Sequence, residues 1–248
     1  MAIAPDFTSV FSKEWEINIM QCAPNGQLRH TELCHLLQLT SAAHSDKGGI
    51  SFSDMQEFDQ AWVLSKMRLE IDRMPMYNDT IVIKTWIVSL VSSRSVRALE
   101  VFLDGKKIIG CEAAWAVFNT VKRRPEMLAL PDEHFEKFTT TFATSSRVKK
   151  IALPDENQPS VKSRDVMYSD LDIVNHVNNI KYLEWCLDVT AAKRLLNTHI
   201  SALDMNFMKE LMLGDSIEIT AQDLKHESVY AILKDSKPCF ALQVTWSK

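Results

Sequence analysis

The stretches ALEVFLDGKKIIGCEAAW (residues 98–115) and YAILKDSKPCFALQVTW (residues 230–246) decide the fold. In each, a strand-like run meets a turn of the form L-x-[DG]-x-K, and a second strand-like run closes on a tryptophan, Trp115 or Trp246. Alternating β-formers on both sides of a tight turn predict an antiparallel hairpin. Working outward, DTIVIKTW at 79–86 has its counterpart in DSIEITAQ at 215–222. A helical pattern from Thr31 to about His44 (Leu33, Leu36, Leu37, Ala43), with Thr31 as candidate cap, precedes the first set. Another runs from Val177 through Ile180, Leu183, Leu187 and Ala191 before the second. Helix, strands, turn and closing tryptophan recur in one order, which predicts a duplicated α+β domain.

The remaining segments fit this division. SVFSKEWEINIM, AWVLSKMRLEI and DTIVIKTWIVSL read as further strands of the first copy. RRPEMLALPDEHFEKF and SSRVKKIALPDENQPSVK hold four prolines and many charges, so they read as a linker with a short helix at 132–138. The expected organisation is a first domain over 1–128, a linker over 129–160 and a second domain over 161–248.

Composition narrows the function. The 248 residues are 46% hydrophobic with 6 glycines and 8 prolines, so the chain can build a core and is neither fibrous nor disordered. A net charge of −4 gives no support to a nucleic-acid partner. MAIAPDFTSVF has no basic n-region or long apolar core, so no signal peptide is expected. No apolar run reaches the ~18 residues of a membrane span. Five irregularly spaced cysteines form no metal pattern; reduced, mostly buried thiols in a cytoplasmic protein are expected, with no metal and no cofactor.

The chemistry-bearing stretch is SDLDIVNHVNNIKYLEW, residues 169–185. Asp172, Asn175, His176, Asn178 and Asn179 crowd the start of the second helical pattern, whereas the first copy, NGQLRHTELCHLLQL, has no such cluster. The fold therefore does not require it. One polar residue there is a helix cap; five suit catalysis. A helix amino end stabilises developing negative charge, histidine serves as a base, a carboxylate orients it, and asparagine donates to an oxyanion. Glu210, in NFMKELMLGDSIEI, is either a water-activating carboxylate facing that helix or an edge charge beside Lys209. No GxSxG, HExxH or GxGxxG is present, and Cys186 reads as core.

These residues resemble the acyl-acyl carrier protein thioesterases of plants and bacteria. The likeness rests on SDLDIVNHVNNIKYLEW and MNFMKELMLGDS, with WVLSKMRLEIDRMP, IVIKTW and RRPEML in the first half. It spans about Val10 to Trp246. The resemblance implies two tandem hotdog domains, each an antiparallel sheet around a long helix, with catalysis in the second and acyl-chain selection in the first. Asp172 and His176 match the family's catalytic aspartate and histidine, and Glu210 matches a glutamate implicated in water activation. The next position, cysteine in plant members, is Leu211, which argues against a cysteine nucleophile. The family's asparagine two residues after the aspartate is Val174 here, so Asn175 is expected to take its role; Asn178 and Asn179 are expected to support the helix start.

The implied reaction is hydrolysis of a fatty acyl thioester on acyl carrier protein, with the carbonyl near the start of the Val177 helix. Trp62, Met67, Leu69, Ile83 and Trp86 are candidates for the acyl-chain site or ordinary sheet core. Arg123, Arg124, Arg147, Lys149, Lys150, Lys162 and Arg164 are candidates for docking the acidic carrier. The rival readings are an acyl-coenzyme A thioesterase, a dehydratase of the same fold and a non-catalytic acyl-binding module. The chain is expected to be a monomer or homodimer.

Overall fold

The computed structural model describes residues 3–155 and 158–247. They form two compact units: Met1–Ser65 with Leu69–Arg147, and Val148–Lys248 with Lys66–Arg68. The first holds β1 (Val10–Glu16), α1 (His30–Lys47), α2 (Phe52–Gln56), β2 (Gln60–Ile71), β3 (Thr80–Val91), β4 (Arg94–Leu103), β5 (Lys106–Asn119) and β6 (Arg124–Pro125). The second holds β7 (Ser160–Asp165), α3 (Asn179–Asp188), α4 (Ala192–Asn197), β8 (Ile200–Phe207), β9 (Ser216–Asp223), β10 (Glu227–Lys234) and β11 (Lys237–Trp246).

The strands run in the order β1-β3-β4-β5-β2 in the first unit and β7-β9-β10-β11-β8 in the second, the same topology twice. The β4–β5 and β10–β11 hairpins match in detail. Asp104 and Gly105 have φ of 50° and 73°, and Asp235 and Ser236 have φ of 51° and 58°. Positive φ at both central residues is the two-residue turn whose twist suits a hairpin. Each hairpin also shifts register at the same place, between Val101 and Phe102 and between Ile232 and Leu233.

Each sheet wraps one helix. α1 lies against β1 and β3 and buries Leu33, Cys34, Leu36 and Leu37; α3 lies against β10 and β11 and buries Ile180, Leu183, Trp185 and Cys186. Two helix details differ from expectation. α1 begins at His30 behind Arg29, which makes no side-chain cap, so Thr31 lies inside the helix. α3 begins at Asn179 and stops at Asp188, short of Ala191.

The helix expected at 132–138 does not form. Instead 131–138 runs as turns and extended chain fixed to the first unit: His134 Nε2 meets the Gly48 carbonyl at 2.8 Å, and the Phe138 N–H donates to Ile87 O at 2.9 Å. Phe135 lies so close to Gly48 that a Cβ there would fall 2.0 Å from its ring. Farther on, the Trp86 indole donates to Thr141 O at 3.0 Å.

A buried polar knot closes the carboxyl end of α1. His44 is 0% exposed and stacks between Phe7 and Phe11, with ring centroids 5.5 and 5.7 Å away. Its Nε2 meets Thr8 O at 2.9 Å, and its Nδ1 accepts from Arg97 Nη1 at 2.8 Å. Arg97 also donates to Ser45 Oγ at 3.2 Å, and the negative end of the helix favours this buried cation. Burial, followed by the Arg97 charge, pushes the His44 imidazole from 6.5 down to about 3. The folded protein thus holds His44 neutral where the unfolded chain takes up a proton. Its contribution to stability is full above pH 6.5 and falls away as pH drops toward 3. Between pH 6.5 and 4.5 the wild type should lose roughly 2 kcal/mol more than His44→Gln in urea unfolding. Equal pH dependence of the two would contradict the neutral buried histidine.

Candidate active site

The polar stretch folds as a tight loop before α3. Leu171 bridges Val177, the Asp172 N–H donates to His176 O at 2.8 Å, and the Asn175 N–H donates to Asp172 O at 3.1 Å. Asp172 holds the loop from inside: its Oδ1 accepts the Val174 N–H at 3.0 Å and the His176 N–H at 3.1 Å. Asn178 caps α3, accepting the Ile180 N–H at 3.0 Å, which is the helix-start support its sequence position suggests.

A second turn meets this loop. The Val177 N–H donates to Leu211 O at 2.8 Å, and His176 bridges Met212. That contact brings Glu210 to His176, with Oε2 3.5 Å from Nδ1. The side chains are 34% and 27% exposed, so water reaches both. Separations of this size in an unliganded site tighten when substrate binds.

The first unit builds the same frame bond for bond. Cys22 bridges Leu28 and Gln27 bridges Met76. The Ala23 N–H donates to Gln27 O at 2.8 Å, the Gly26 N–H to Ala23 O at 2.9 Å, and the Leu28 N–H to Pro75 O at 2.8 Å. In both turns the amide of the methionine donates to the aspartate three residues on: Met76 to Asp79 at 2.8 Å, Met212 to Asp215 at 3.0 Å. The correspondence is therefore residue by residue. Asp172, His176 and Glu210 replace Ala23, Gln27 and Met74. The frame is common to both units, and the ionisable groups belong to the second alone.

Asn175 occupies the position of Gly26. Their φ angles are 60° and 79°, in the left-handed region, and Asn175 is exposed at the turn. Asparagine tolerates that conformation better than most side chains. Its location thus serves the turn. The amides also divide differently from the sequence expectation. Val177 N–H is taken by Leu211 and Asn178 N–H by Asp170 O at 2.9 Å. At the helix start, the Asn179 N–H has no acceptor among the described residues.

The other candidates are spread out. Met67, Leu69 and Ile83 are buried, and Trp62 donates to Ile50 O at 3.2 Å. Ile83 and Trp86 lie on opposite faces of β3, Trp86 packing with Val88, Ala98 and Ala143. Arg147 pairs with buried Glu112, and Arg164 pairs with Asp170 at 2.6 Å while covering the Trp185 ring. Lys149 lies 4.0 Å from Asp204. Arg123, Arg124, Lys150 and Lys162 are exposed. Tyr182, whose hydroxyl reaches Leu211 N–H, carried no separate signal in the sequence.

An antiparallel sheet around a helix, built twice, with the ionisable cluster in one copy, defines a double-hotdog protein. Residues 8–138 match the acyl-ACP thioesterase N-terminal domain and residues 154–239 its C-terminal domain; the chain belongs to the acyl-ACP thioesterase family. A chloroplastic acyl-[acyl-carrier-protein] hydrolase of Cuphea viscosissima is 26% identical over 214 residues, covering 79% of this chain and 50% of the relative. A chloroplastic palmitoyl-acyl carrier protein thioesterase of Cuphea hookeriana is 25% identical over 231 residues, covering 86% and 55%. The chain spans about half the length of these curated relatives. The crystal structure of an acyl-ACP thioesterase from Bacteroides thetaiotaomicron shares the fold, with a TM-score of 0.89 at 22% identity over 96% of this chain and 98% of that one.

The turn assignment makes a prediction. Asn175→Gly should leave unfolding free energy within about 0.5 kcal/mol of wild type, and Asn175→Val should lose about 1–2 kcal/mol, as left-handed backbone penalises a β-branched residue. Equal losses in urea unfolding would contradict it.

Proposed function

We propose that the protein hydrolyses fatty acyl thioesters borne by acyl carrier protein, releasing a free fatty acid and the carrier thiol. The observation that carries this reading is the asymmetry between two identical frames: three ionisable residues, Asp172, His176 and Glu210, stand where the other copy has Ala23, Gln27 and Met74. A protein that only bound acyl chains would have no use for that difference. The family membership and the thioesterase and hydrolase activities named for the plant relatives support thioester hydrolysis over dehydration.

In this mechanism the acyl carbonyl lies at the amino end of α3. Glu210, oriented by His176, removes a proton from water as the water oxygen bonds to the carbonyl carbon. The Asn179 N–H and the helix dipole stabilise the oxyanion. The carbon–sulfur bond then breaks, and the proton that Glu210 took from water passes through His176 to the leaving thiolate, which returns both groups to their starting state. Asp172 fixes the loop that presents His176 through its two amide bonds, and Asn175 lets that loop close. Trp62, Met67, Leu69 and Ile83 remain candidates for acyl-chain contacts, with Trp86 on the other face of β3. For the carrier, Arg123, Arg124, Lys149, Lys150 and Lys162 are the better-placed cations, because Arg147 and Arg164 each neutralise a buried carboxylate.

The test is thiol release from a panel of acyl carrier protein thioesters, with the matching coenzyme A thioesters alongside. Glu210→Gln and His176→Ala should each lower kcat by about 10²-fold or more, in line with loss of general-base catalysis. Asp172→Ala should lower kcat and also cost ~1–2 kcal/mol of stability, since two loop amides lose their acceptor. Normal turnover in Glu210→Gln would refute the mechanism. Faster turnover of the coenzyme A thioesters would replace the carrier protein as substrate.

A further inference from the structure

The two copies differ at one more matched pair, outside the three ionisable positions. Tyr182 on α3 is 3% exposed, and its hydroxyl oxygen accepts the Leu211 N–H at 3.1 Å. The equivalent residues in the first copy are Leu33 on α1 and Pro75 in the turn after β2. Leucine has no hydroxyl to accept with, and proline has no N–H to donate. The first copy therefore seats the same helix against the same turn with neither partner of this bond. The neighbouring bond is kept in both: Leu28 N–H to Pro75 O and Val177 N–H to Leu211 O, each at 2.8 Å. The fold needs the second bond and manages without the first.

What distinguishes the second copy at this turn is Glu210, immediately before Leu211. The Leu211 N–H belongs to the peptide unit that joins the two residues. Tyr182 holds that unit, and Val177 holds the next one through Leu211 O. These two bonds pin the chain on the carboxyl side of Glu210, and the Lys209 N–H, donating to Cys239 O at 3.1 Å, pins it on the amino side, so the direction in which the Glu210 side chain leaves the backbone is constrained. Tyr182 is itself firmly seated, with ring centroids 5.4 Å from Phe240, 5.7 Å from Trp185 and 6.0 Å from Phe207. Burial holds its phenol protonated far above the ordinary range, and the charges of Glu210 and Asp172 add to that effect.

We infer that Tyr182 is a positioning residue: by holding the Leu211 N–H, its hydroxyl sets the Glu210 carboxylate against His176. The inference rests on the proposed hydrolase only for its kinetic consequence; the geometric claim stands apart from it.

Two variants remove the same bond from opposite sides. Tyr182→Phe deletes the acceptor and keeps the ring. Leu211→Pro deletes the donor and copies Pro75, which the first unit accommodates in the same turn. Carbon-13 chemical shifts of the Glu210 carboxyl and the His176 ring, in wild type and each variant at one pH, read the geometry without any need for turnover. Both signals should move in each variant, while that of Glu184, paired with Lys181 at 3.0 Å on the same helix, should stay in place. In the thiol-release assay kcat should fall about tenfold with KM within about twofold, since misplacement of a reacting group acts on the chemical step. Unmoved Glu210 and His176 signals in the Tyr182→Phe variant would overturn the inference, whatever its kcat. Moved signals in a protein without thioesterase activity would uphold the positioning role and discard the hydrolase reading.

Discussion

The hydrogen bond from the Val177 N–H to Leu211 O ties the polar loop to the turn after β8, and the candidate site depends on it. His176 and Glu210 are far apart in the chain, and nothing local brings them together. The loop presents His176 next to the amide that makes this bond, and the turn presents Glu210 next to the carbonyl that receives it. The equivalent bond in the first unit joins Leu28 to Pro75 and brings together Gln27 and Met74, a pair with no acid–base chemistry. One backbone device thus serves both copies, and side chains alone decide which copy is equipped to react.

That separation explains how the repeat reaches function. A duplicated frame that tolerates Gln27, Met74, Leu33 and Pro75 does not need His176, Glu210, Tyr182 or the Leu211 N–H for folding. Their presence in the second copy is therefore a functional signal with an internal control in the same chain. Asp172 is the exception in kind: its carboxylate accepts two loop amides, so it serves both the shape of the loop and the presentation of His176. Asn175 goes the other way, since its counterpart Gly26 shows that the position asks for a residue able to take positive φ.

The sequence made some of this legible and hid the rest for physical reasons. Hairpins are local, so the paired turns and closing tryptophans could be read directly, and with them the duplicated α+β plan. β7 could not, because SVKSRD is mostly exposed and carries no apolar alternation. The start of α3 was read two residues early because Val177 continues the apolar pattern, although its amide is spent on Leu211. Residues 132–138 had helical composition, yet Phe135 anchors them as turns against Gly48. In the candidate site, residue types singled out Asp172, His176 and Glu210; the approach of Glu210 to His176 is a tertiary contact that no spacing encodes. Tyr182 fell outside the apolar pattern of Ile180, Leu183 and Leu187, and the group its hydroxyl meets is a backbone amide in another element. Trp86 and Ile83 were grouped by proximity in sequence, which strand parity undoes. Arg147 and Arg164 read as surface charge because the buried carboxylates that hold them are distant or unremarkable in sequence.

The most direct measurement is to give the second copy the first copy's side chains. The triple variant Asp172→Ala, His176→Gln, Glu210→Met carries the residues of the matching positions in the first copy, where Asn25 accepts the Gln27 N–H at 3.1 Å. It should keep the two-unit fold by circular dichroism and amide NMR, and release carrier thiol from acyl-carrier thioesters no faster than the buffer control. A folded triple variant that still hydrolyses the thioester at more than about 1% of the wild-type rate would contradict the account, since loss of general-base catalysis alone is worth roughly 10²–10⁴-fold.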